Sequence, residues 1–95
     1  MVTPQLIEAA KLRLRKSQSN YLDDDIVSLC EVAIADLKRI GVDDKFLSDC
    51  ADPLIREAVL TYVKANYGNN PDSERLMFSY NMLLTKIKGG RYFNV

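Results

Sequence analysis

Residues 23–42, DDDIVSLCEVAIADLKRIGV, decide how this chain is read. Three consecutive carboxylates could be metal ligands, or they could begin a helix. The residues that follow settle the choice. Ile26, Leu29, Cys30, Ala33, Leu37 and Ile40 recur at a 3.6-residue period and stop at Gly41, the residue type that most often ends a helix. Asp23, Asp24 and Asp25 therefore fall at the cap and first turn, where carboxylates accept unpaired N–H groups and meet the positive end of the helix dipole. Consecutive helical residues point roughly 100° apart, which does not converge them on one ion. No metal site is expected here.

The same spacing runs outward in both directions. Thr3-Pro4 supplies a hydroxyl cap and a proline where the missing N–H costs nothing, and Leu6, Ile7, Ala10 and Leu14 continue a first helix over about residues 4–16. Its other side carries Lys11, Arg13, Arg15 and Lys16. These are a solvated face with the right dipole polarity or, in the sharper reading, a basic contact for nucleic acid or an acidic partner. SQSN at 17–20 reads as a polar loop. Residues 43–51 are expected to hold one short helical turn, with Phe46 and Leu47 plugging the end of the core. Asp52-Pro53 repeats the cap-then-proline start, and Leu54, Ile55, Ala58, Val59, Tyr62 and Asn66 carry a helix to Gly68. After GNNPD, Asp72 or Ser73 can cap a last helix whose core stripe is Leu76, Met77, Tyr80, Leu83, Leu84 and Ile87. Gly89-Gly90 ends it.

The expected fold is all-α: a small bundle of about four helices with a flexible C-terminal arm. At 95 residues the chain is expected to form one domain, compact over about 4–88, with the arm at 89–95. Hydrophobic residues at 47% and charged residues at 27% argue for a globule and against disorder. No apolar run is long enough to span a bilayer and the amino terminus has no signal-peptide core. A soluble protein that starts in the cytoplasm is expected.

Catalytic residues are not expected either. The chain has no histidine, the commonest general base, and no nucleophile with an orienting partner. Cys30 and Cys50 match neither a disulfide framework nor a zinc spacing and read as reduced thiols, Cys30 in the core. KGG followed by arginine lacks the strand, loop and helix of a phosphate-binding loop. No cofactor and no metal is implied. Thirteen basic and thirteen acidic residues cancel, which disfavours nonspecific binding to duplex DNA. Tyr62 and Tyr67 flank Lys64 and could form a stacking platform for single strands, but Tyr62 lies on the core stripe and packing is the expected role.

Two helices carry more apolar surface than one core requires. Val27 and Ile34 lie off the main stripe of the second helix, and Phe78 and Met82 form an i, i+4 pair on another side of the last. They are the candidate subunit interface. Beyond the two glycines, RYFNV forms a short aromatic arm. Arg91, Tyr92 and Phe93 are residue types enriched at binding hot spots, so the arm is a candidate docking element. The alternative is that its aromatic rings fold back over the end of the bundle.

DDDIVSLCEVAIADLKRIGV, then DPLIREAVLTYVKANYG, then a helix bearing ERLMFSYNMLL resemble, in pattern and order, the small head–tail connector or head-completion adaptor proteins of tailed bacteriophages and prophages. The likeness covers about residues 22–88. It implies an all-helical virion assembly protein that forms a homo-oligomeric ring below the portal after DNA packaging. Such a ring would extend the exit channel and dock a stopper or tail component. DNA would pass through without sequence-specific binding, and the protein would wait in the host cytoplasm before joining the head–tail junction. Two other classes remain open: a helical nucleic-acid-binding accessory protein using Lys11, Arg13, Arg15 and Lys16, and a helical protein that binds a host protein.

Overall fold

The computed structural model describes residues 2–14, 23–68 and 71–92, the side chain of Asp23 excepted. Among the described residues five helices follow one another: α1 (Pro4–Leu14), α2 (Asp23–Arg39), α3 (Asp44–Leu47), α4 (Pro53–Asn66) and α5 (Ser73–Lys88). No strand occurs among the described residues, and none of these helices is long and apolar enough to cross a membrane.

The helix ends follow from local chemistry. The Thr3 hydroxyl accepts the Leu6 amide at 3.1 Å and starts α1. Asp23, Asp24 and Asp25 are the first three residues of α2. Its far end is a Schellman motif: the Gly41 amide donates to the Lys38 carbonyl at 3.0 Å and the Val42 amide to the Leu37 carbonyl at 3.1 Å. Gly41 adopts φ 107°, which suits a residue without a Cβ. Val42 and Leu37 are both buried, giving the apolar contact that accompanies this motif. Asp43 caps α3 through the Lys45 amide, and Asp52 caps α4 through the amides of Leu54 and Ile55.

Helix α4 is the centre of the bundle. Ile55, Ala58, Val59, Leu60, Thr61, Val63 and Ala65 are all buried, because α1, α2 and α5 each pack against a different side of it. Helix α2 contributes Ile26, Cys30, Ala33 and Leu37, each fully buried, and α5 contributes Leu76, Tyr80 and Ile87. These buried residues of α2 and α5 lie on the expected stripes, whereas on α4 Leu60, Val63 and Ala65 are buried beyond the expected set and Asn66 is exposed. Met77, Leu83 and Leu84 pack at the edge of the core, half-buried. Cys30 and Cys50 are free and buried; burial, with smaller contributions from Cys50 and Glu31, pushes the Cys30 thiol up to about 11.

The chain leaves α5 at Gly89 and turns back within a few residues. The Tyr92 carbonyl accepts the Asp43 amide at 2.7 Å, its hydroxyl donates to Asp52 Oδ1 at 3.0 Å, and its ring meets Phe46 edge-on with centroids 5.0 Å apart. As far as Tyr92, the arm takes the folded-back course rather than a free one. Residues 93–95 lie outside the described residues.

Candidate subunit and docking surfaces

The last helix presents its apolar surplus directly to solvent. Leu76, Tyr80 and Ile87 define its inner side; at about 100° per residue, Phe78 and Met82 point roughly half a turn away. They are 67% and 50% exposed. Two large, neighbouring apolar side chains on the outer face of a packed helix have no role in the core of this chain.

The other half of the expected interface sits differently. Val27 and Ile34 are both half-buried, Ile34 packed against the core. The wider apolar arc of α2 is thus partly used inside the subunit. Two exposed residues take its place: Val32 on α2 at 49% and Leu12 on α1 at 78%. Their signal was in the sequence, since both stand off their helices' core stripes. Off-stripe leucine or valine is common enough that nothing in the periodicity singled them out.

Leu12 overhangs an open groove of about 790 Å³ between α1 and α4, whose walls include Arg13, Pro53, Arg56, Leu60 and Lys64. Arg13 closes its rim. Both guanidinium terminal nitrogens donate to Glu57, at 2.8 Å each, joining α1 to α4. The Arg13 hydrogen bond, aided by its charge and the Thr61 hydroxyl, outweighs burial and holds the Glu57 carboxyl below its ordinary value. Arg13 is thereby committed within the subunit. Of the other candidate basic contacts, Lys11 lies 3.7 Å from Glu8, and Arg15 and Lys16 lie outside the described residues. Among the described residues, Arg13 and Lys11 are thus each placed beside a carboxylate of this chain.

A second polar link crosses the far side of the bundle. Tyr80, 2% exposed, donates its hydroxyl to Asp36 Oδ2 on α2 at 2.7 Å. Arg39 pairs with the other carboxylate oxygen. Burial pushes the Asp36 carboxyl up, but the Tyr80 hydroxyl, Arg39 and Lys88 together bring it below its usual range. Burial first, and then the bond to Asp36, raise the Tyr80 phenol well above its ordinary value. Tyr62 lies against Tyr80 with ring centroids 5.1 Å apart, so its ring is an internal packing element. This cluster locks α2 to α5, and its Asp36, Arg39 and Tyr62 side chains line a shallow, open pocket with Val32 and Ala35.

The candidate arm divides at the clasp. Tyr92 is half-buried on Phe46 and Asp52, Arg91 is exposed, and Phe93 lies outside the described residues. Among the described residues, no group of three or more His, Cys, Asp or Glu side chains could hold a metal ion.

No curated protein and no solved structure matches the chain. A family model described as phage connector protein matches residues 6–90, which takes in α2 to α5 whole and most of α1. This is wider than the stretch on which the resemblance was read, and includes the first helix. With most of its length matched, the chain belongs to the phage connector proteins, components of the head–tail junction of bacteriophages.

Proposed function

We propose that the protein assembles as a ring on the portal of a tailed phage, extends the DNA exit channel below it, and presents the docking surface for a stopper or tail component. Membership of the connector family supports the setting. The observation that carries the mechanism is the outward-facing pair Phe78 and Met82 on a helix whose other side already fills the core. Burying an exposed side chain of this size contributes about 1.5–3 kcal/mol. That is enough for such a pair to anchor a subunit contact, with no bond-making chemistry involved. A neutral chain also suits a conduit, since a strongly basic lumen would hold the DNA it has to release.

Arg91 and Phe93, flanking the clasped Tyr92, are the arm's proposed contacts with the portal or an adjacent subunit. Tyr92 then acts as the anchor from which they reach. Val27 and Ile34 are proposed to add their half-exposed edges to the subunit contact. The test is a Phe78→Ser, Met82→Ser double variant. Helical circular dichroism and melting temperature should stay near the parent values while assembly on the portal is lost. Loss of the fold would place the pair in the core, and intact assembly would remove it from the interface.

A further inference from the structure

The ring reading leaves open what receives the Phe78 and Met82 face. The bundle supplies one surface matched to it in position, spacing and charge. Position comes from α4. Glu57, Leu60 and Lys64 look toward α1 and the groove, whereas Tyr62 reaches Tyr80 and Asn66 reaches Met77 on α5. At about 100° per residue these two sets lie roughly 180° apart around the helix. The Leu12 groove and the outer face of α5 therefore lie on opposite sides of the subunit. Such an arrangement does not pair with itself. It joins copies head to tail, the kind of contact that closes into rings.

Spacing and charge agree. Glu74, Phe78 and Met82 stand at i, i+4 and i+8 along the outer side of α5, and Arg56, Leu60 and Lys64 stand at the same intervals along the α4 wall. Each step is about 6 Å, so two helices laid side by side and pointing the same way bring the three pairs into register together. Glu74 and Arg56 have no ion-pair partner among the described residues; the neighbouring Arg75 is held by Asp72 at 3.3 Å. One surface thus offers an acid ahead of two apolar side chains. The other offers a base ahead of a lysine stem, with Leu60, 4% exposed, at the groove floor between them and Leu12 overhanging.

We infer that the Leu12–Leu60 groove between α1 and α4 is the receptor for the α5 outer face of a second copy of this chain, with Phe78 between Leu12 and Leu60 and Glu74 against Arg56. The inference rests on the ring reading and assigns both sides of its subunit contact. One helix about 24 Å long and ~10 Å wide covers far less than the ~800 Å² per partner of a stable pair. Free copies therefore meet only weakly, and the contact accumulates when a ring is templated or the chain is concentrated.

Irreversible cross-linking reads such weak encounters. Full-length Leu12→Cys and Phe78→Cys variants are mixed at high concentration with a short bismaleimide. The parent's own cysteines are buried and serve as the unreactive background. The expected result is a cross-linked dimer from the mixture, at a yield severalfold above that of either variant alone and above Leu12→Cys mixed with Glu31→Cys, a site exposed on α2. Adding Arg56→Glu to the first variant should lower the yield severalfold, and adding Glu74→Arg to the second should restore it. Equal yields from all mixtures, cross-links within one variant only, or no rescue by the charge swap overturn the pairing. Rings seen on a portal without the mixed cross-link refute this pairing and leave the ring standing. Head-to-tail cross-links without portal binding do the reverse.

Discussion

Replacing Tyr92 with alanine should destabilise the free protein by about 2–3 kcal/mol, although the residue stands four positions beyond the last helix. The magnitude follows from three contacts. The hydroxyl bond to Asp52 contributes about 1 kcal/mol net, because Asp52 still accepts the Leu54 and Ile55 amides when it is lost. The edge-on contact with Phe46 adds about 0.5–1.5 kcal/mol. Partial burial of the ring adds about 1–2 kcal/mol, offset in part by the entropy of ordering residues 89–91. For a domain of this size each kcal/mol moves the melting temperature by about 4–8 °C. Tyr92→Ala should therefore melt roughly 10–20 °C lower, and Tyr92→Phe, which keeps the ring, only about 4–8 °C lower. Thermal melts followed by circular dichroism, with urea titrations alongside, measure both. A Tyr92→Ala protein that melts with the parent would show that the clasp contributes nothing and that the arm is free in solution. A chain ending at Lys88 should lose the same contacts. The near-neutral truncation that a free arm would imply is therefore not expected.

Further outcomes can be checked with the same melts. A Cβ at Gly90 would stand 2.8 and 2.9 Å from the Tyr92 ring, while one at Gly89 meets nothing closer than 3.7 Å; Gly90→Ala should therefore reproduce part of the Tyr92→Ala loss and Gly89→Ala should not. Tyr80→Phe removes a buried hydroxyl bond to a carboxylate and should cost about 1.5–3 kcal/mol in urea titration, whereas a change under about 0.5 kcal/mol would remove this link from the account. Because the folded-state pKa of Glu57 is depressed, the stability from its pair with Arg13 is present above the ordinary carboxylate value of about 4.3 and is lost as pH falls through the lower folded value. Both side chains are substantially solvent-accessible, so the loss should stay under about 1 kcal/mol; Arg13→Gln should remove that part of the acid dependence and leave melts at acid pH almost unchanged.

The helices were legible because each carries its own punctuation. Thr3-Pro4, Asp52-Pro53 and Gly41 are local signals, and the structure uses the hydroxyl, the carboxylate and the left-handed glycine as caps. Phe78 and Met82 were legible for the same reason, since their stripe departs from that of Leu76, Tyr80 and Ile87 on a single helix. Links between distant elements were not. Arg13 with Glu57, and Tyr80 with Asp36, each join residues 44 positions apart, and no periodicity reports which carboxylate a buried hydroxyl or a half-buried guanidinium will find. Arg13 therefore read as surface charge until the packing of α1 on α4 placed Glu57 beside it. Tyr92 was ambiguous in the same way. Two glycines say that the helix stops, but the return of the chain depends on Asp43, Phe46 and Asp52 standing together at one end of the bundle.

Electron microscopy of the full-length protein mixed with a cognate portal tests the central claim most directly. A closed ring of this protein is expected on the portal, its lumen continuous with the portal channel and neighbouring copies in contact through the outer face of α5. A portal that remains bare, or that carries scattered single copies with no continuous lumen, would contradict that claim.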